Sequence, residues 1–162
     1  MRVFVAATLR KLAELHQSGQ LTASDGSAFA VTPALREWYT EGDAEELEYA
    51  ALIEAARASL GLLAAAPTAP PRRGVVVVDI ADAAPDPVNG RAAVRLSGPA
   101  RIEQVAAVHV DAADAEPTVR AAVEALGAAA AGDEEAMIAM QDPEGFELLW
   151  YATQELPDLL KT

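Results

Sequence analysis

From Gly42 to Leu63 the chain reads GDAEELEYAALIEAARASLGLL, and its apolar positions recur with the period of a helix. Tyr49, Leu52, Ile53, Ala56, Leu60 and Leu63 follow i, i+3, i+4, i+7 spacing and form one stripe. Leu47, Ala51, Ala55, Ala58 and Leu62 form a second stripe of smaller residues. Glu54, Arg57 and Gly61 are expected to face water, with Glu48 and Ser59 as a thin polar seam. A helix apolar on two sides is clamped between layers, and its alanine-rich side permits close approach. Its start is written twice. Asp43 is suited to the N-cap, with Glu46 in capping-box position, and Glu45, Glu46 and Glu48 place negative charge at the positive end of the helix dipole.

The flanking segments carry shorter signals. Val3 to Ala6 predicts a buried strand, and Thr8 caps a helix that turns Leu9, Leu12, Ala13 and Leu15 inward until Gly19. Residues 22–28 are a polar loop, Phe29 to Val31 a brief strand, and Thr32-Pro33 opens a helix over Ala34 to Tyr39. Residues 66–71 (APTAPP) are an extended or turning connector. Beyond it, the four-valine run Val75 to Val78 predicts a central strand covered on both faces. A turn over Asp86 to Gly90, strands over Ala92 to Leu96 and Val105 to Val110, and a helix over Asp114 to Leu126 follow. Ala136 to Met140 and Phe146 to Tyr151 are expected to be two strands joined by a turn at Asp142-Pro-Glu-Gly145. Thr153 is expected to cap a last helix ending at Leu160.

Together these predict a single α+β domain over residues 1–162, helix-rich over 1–66 and sheet-rich over 72–162. The sheet is expected to be mostly antiparallel, of about five or six strands, with helices packed mainly on one face. Two internal echoes run through the chain. VDIADAAPDPV from Val78 resembles VDAADAEPTVR from Val110, and VFVAATL from Val3 resembles LWYATQEL from Leu149. A duplicated half or biased composition accounts for both.

Composition narrows the function classes. There is no cysteine, which excludes disulfides, thiolate catalysis and cysteine-ligated metal centres. The net charge of −13, with scattered Arg and Lys, argues against a nucleic-acid groove and suits a basic partner. The opening MRVFVAATLRKL is too short an apolar run for a signal peptide, no run reaches membrane-spanning length, and a cytoplasmic protein is expected.

Candidate chemistry is sparse. The carboxylates Glu41, Asp43, Glu45, Glu46 and Glu48 point to several sides of one helical turn, so they read as capping groups and no metal site is expected. Both tryptophans stand in pairs, Trp38-Tyr39 and Trp150-Tyr151, and strand alternation sends Trp150 and Tyr151 to opposite faces. His109 precedes Asp111 by two positions, but no motif places a Ser or Thr nucleophile beside it, and there is no glycine-rich phosphate loop. The turn DPEG is similar to one in the vicinal oxygen chelate superfamily, where a metal-ligand glutamate follows on the next strand. Here Leu149 holds that position, so the segment reads as an ordinary hairpin.

A broader likeness runs along the chain. MRVFVAATL, FAVTPALREWYTEGDAEELEYAALIEAA, VAAVHVDAADAEP and ELLWYATQELPDLL together resemble a family of short actinobacterial proteins of unknown function. That resemblance implies neither an activity nor a cofactor. The leading expectation is therefore a non-catalytic protein-interaction or regulatory module that binds a protein partner or itself, without cofactor, nucleic acid or membrane. The rival is a small-molecule site or enzyme with a pocket between the central helix and the sheet. Arg36, Trp38, Tyr39, Glu48, His109 and Trp150 are the candidate binding residues, chosen as polar or aromatic groups able to converge.

Overall fold

The computed structural model describes residues 1–161. Among the described residues there are nine strands and six α-helices. They are β1 (Arg2–Ala7), α1 (Leu9–Ser18), β2 (Gln20–Leu21), β3 (Ser27–Ala30), α2 (Pro33–Trp38) and α3 (Ala44–Ala64). After the proline-rich connector come β4 (Gly74–Asp79), β5 (Ala84–Pro85), β6 (Ala93–Arg95), β7 (Ala100–Arg101) and β8 (Val105–Val110). The chain closes with α4 (Glu116–Ala130), α5 (Glu134–Gln141), β9 (Leu149–Tyr151) and α6 (Leu156–Leu159).

Seven strands form one antiparallel sheet in the order β5-β6-β3-β1-β4-β8-β9, larger than the five or six strands expected, and β2 pairs with β7 apart from it. The fold is α+β, and both halves of the chain supply strands to the sheet. The four valines of β4 lie between β1 and β8 and are buried on both faces. Val76 and Val78 join Val3, Val5, Val108 and Val110 in a core closed by Leu12 and Leu15 of α1 and Leu156 and Leu159 of α6. Val75 and Val77 join Phe4 and Ala107 on the opposite face, beneath Leu47, Ala51 and Ala55 of α3. The helical mass is concentrated on this second side. Leu60 and Leu63 of α3 carry Val119 and Ala122 of α4, and α5 packs back on α4.

The predicted starts of the early helices are made by the expected side chains. Thr8 accepts from Lys11 N at 3.2 Å, Thr32 from Leu35 N at 3.1 Å, and Asp43 from Glu46 N at 2.9 Å. Gly19 ends α1 at φ 74°, a left-handed position that favours glycine.

Three expectations fail, each for a physical reason. The strand expected over Ala136 to Met140 is helix α5, and no hairpin forms there: Asp142–Gly145 is a 3-10 turn, and only Leu149–Tyr151 joins the sheet. Asp133 caps Ala136 N at 3.0 Å, and alanine and methionine are good helix formers, so an uninterrupted apolar run takes the helical option. Thr153 does not cap α6; its hydroxyl donates to Val105 O, tying the chain to the start of β8.

The third is Ser59, expected near solvent but fully buried. Its hydroxyl donates to Ala7 O at 2.7 Å and accepts from Gly74 N at 3.1 Å, fastening α3 across the ends of β1 and β4. Gly74 suits this close crossing, because a Cβ there would stand 3.2 Å from Ala7 O and push β1 back by a few tenths of an ångström.

Candidate functional site

The placement of α3 on the sheet creates the site. Its small residues Ala51, Ala55 and Ser59 turn toward the strands and let the helix approach closely. The larger Tyr49, Leu52 and Ile53 are thereby left at the margins, and Tyr49 stays 54% exposed. Each margin is a groove.

On one side, Tyr49, Ala50, Ile53 and Arg57 of α3 face Phe29, Trp38, Tyr39 and the Asn89–Ala93 segment across a groove of about 550 Å³. The Arg91 guanidinium stacks on the Trp38 ring at 3.6 Å from its centroid. Thr32, whose hydroxyl donates to Arg91 O, ties this segment to the start of α2. Arg57 binds Glu54 and Glu144, and the hydrogen bond to Glu144 raises its pKa further above the ordinary value.

On the other side, Glu45, Glu48, Tyr49 and Leu52 face Arg2, Phe4, Val77, Ala107, His109 and Trp150 across a groove of about 420 Å³. A smaller hollow of about 250 Å³ shares Tyr49, Leu52 and His109 with it and continues toward Phe146, Glu147 and Leu148. The antiparallel register puts Val75, His109 and Trp150 side by side on this face, so Trp150 and His109 are cross-strand neighbours. Tyr151 turns to the core beneath the opposite face.

The sequence candidates are thus divided. Glu48, His109 and Trp150 share the second groove, while Trp38 and Tyr39 lie across α3 in the first. Arg36 stands apart, in a depression with Met1, Arg2, Val31, Ala44 and Glu48. Tyr49, a member of the apolar stripe by its spacing and not among the sequence candidates, lines both grooves. The alanines opposite it were the available signal, because the side of a helix that lies closest to a sheet is its small-residue side.

His109 has no acid–base partner in Asp111. That carboxylate accepts Arg73 N and Nε through Oδ2 and Arg73 Nη2 through Oδ1, all at 2.8 Å, and both residues are buried. Arg73 Nη2 also donates to Phe146 O at 3.1 Å, which anchors the wall of the smaller hollow. Among the described residues no group of three or more His, Asp or Glu side chains could hold a metal ion, and no helix is long and apolar enough to cross a membrane.

Burial pushes the His109 pKa below its ordinary 6.5. Arg2, Glu45, Glu48 and Trp150 line the same groove, and Glu147 and Arg73 line its extension. The folded protein resists protonating this imidazole, so the unfolded chain binds the proton first. Stability attributable to His109 is therefore complete above about pH 6.5 and falls as pH drops through the lowered folded value. Urea unfolding at pH 7 and pH 5 should show a smaller acid-induced loss for His109→Gln than for the native chain. Equal losses would contradict this origin.

No curated protein and no solved structure matches this chain. A family model described as a family of unknown function (DUF6912) matches residues 1–160, and the chain belongs to that family.

Proposed function

We propose that the chain is a non-catalytic protein-interaction module whose binding face is the outer side of α3 together with β8 and β9. One observation carries this reading: α3 buries its small residues and leaves Tyr49, Leu52 and Ile53 lining open grooves. Trp150, 60% exposed on the neighbouring strand, extends the same face. Large aromatic side chains with a polar tip dominate the energetics of protein interfaces, and a contiguous exposed apolar face is unusual without a partner. The acidic surface adds charge steering.

The second reading, a small-molecule site, rests on the volume of the Glu48–His109–Trp150 groove, about 420 Å³, which lies inside the range typical of ligand pockets. Native mass spectrometry on protein gently isolated from its own host separates the two. The interaction reading expects a complex with an identifiable second protein. Tyr49→Ala combined with Trp150→Ala should weaken that complex by about 2 kcal/mol or more, roughly 30-fold. Ile138→Ala, an equally exposed apolar residue on α5, should leave it intact. A monomer carrying a few hundred extra daltons would favour the small-molecule reading, and a complex indifferent to the double variant would overturn the assignment of this face.

A further inference from the structure

The charges around the second groove are unevenly balanced, and this specifies what it accepts. Its two arginines are already neutralised: Arg2 binds Asp79 at 3.1 Å, and Arg73, in the extension, binds Asp111. The carboxylates Glu45 and Glu147 make no salt bridge among the described residues, and Glu48 feels Arg2 only through a longer-range field. Burial keeps His109 neutral at pH 7, so it adds no opposing charge. The groove is therefore anionic, and the exposed rings of Tyr49 and Trp150 line it, with the buried Phe4 at its floor. Aromatic faces attract cations through their quadrupole, and carboxylates beside them add a full counter-charge.

Resting on the interaction reading, we propose that this groove receives a lysine or arginine side chain of a basic partner segment, with Tyr49 and Trp150 flanking the cation and Glu45 and Glu48 balancing it. The apolar residues beside that cation lie along Leu52 toward Phe146. A second copy of this chain is a poor occupant, because each copy carries a net charge of −13 and would bring like charge to the groove.

The test uses the full chain with Trp38→Phe, which leaves Trp150 as its only tryptophan. Pools of short capped peptides free of tryptophan, matched in apolar content, carry Lys or Arg, Gln, or Glu at the central position. Trp150 fluorescence reports binding. The Lys/Arg pool should bind at least about tenfold tighter than the Glu pool, and added salt should narrow the gap. Glu45→Gln with Glu48→Gln should bring the Lys/Arg pool down to the level of the Gln pool. The same charge change at Glu134 and Glu135, both exposed on α5, should not. Gln or Glu pools that bind as tightly, and lose binding in Tyr49→Ala, which keeps Trp150 as the reporter, would overturn the basic-segment inference while leaving the interaction face standing. If no pool perturbs Trp150, the inference fails; if the host complex also ignores Tyr49→Ala with Trp150→Ala, the face itself fails with it.

Discussion

Asp111→Ala is expected to destabilise the fold by about 3–5 kcal/mol, measured as the loss of unfolding free energy in urea. The substitution leaves the buried Arg73 guanidinium without the carboxylate that accepts two of its N–H groups, and the Arg73 backbone N–H without the same acceptor. A buried charge stripped of its partner is costly, whereas replacing both partners together is not. Arg73→Met with Asp111→Leu should therefore recover much of the loss. The chain contains its own control. Arg2 and Asp79 occupy the equivalent places one strand over, an arginine at a strand start facing an aspartate at its neighbour's end. There the side chains are 46% and 55% exposed, against 3% and 0% for Arg73 and Asp111. Their hydrogen bond lowers the Asp79 pKa and raises that of Arg2, yet solvent screens the pair, and Asp79→Ala should cost at most about 1 kcal/mol. Equal costs at the two aspartates would refute the argument that burial decides.

Ser59→Ala is expected to cost about 1–3 kcal/mol, a large effect for removing one oxygen atom. The hydroxyl serves a carbonyl at the end of β1 and the N–H of the first residue of β4 at a site closed to water. Alanine would leave both backbone groups short of a partner while barely changing the packing. Hydrogen exchange gives the finer readout: protection should fall first at Gly74 and its neighbours, where α3 is fastened to the sheet. A loss of stability spread evenly over the sheet, or none, would contradict the role assigned to this serine.

Much of the architecture was legible because its signals are local. Thr8, Thr32 and Asp43 announce helix starts within four residues, and the β4 valines announce a strand buried on both faces. The internal echoes also have structural counterparts. The Val-Asp steps place Asp79 at the last position of β4 and Asp111 just past β8, each against an arginine, and α1 and α6, each following a strand and a threonine, pack on the same face of the sheet. What was not legible depends on partners distant in sequence. Ser59 resembles a surface serine until Ala7 and Gly74 arrive from 52 and 15 residues away. The pairing of His109 with Trp150 follows only from strand register, and the exposure of Tyr49 only from knowing which stripe of α3 meets the sheet. The Ala136 to Met140 run has no periodicity to separate strand from helix, and the cap at Asp133 decided it.

The central claim, that the Tyr49 side of α3 is a binding face, is tested most directly by placing a photo-crosslinking benzoylphenylalanine at position 49 in the native host. Position 138, on the exposed side of α5, serves as the comparison. The account predicts one discrete protein adduct from position 49 on irradiation and none from position 138. Adducts from position 138 alone, or the same adducts from both positions, would contradict it.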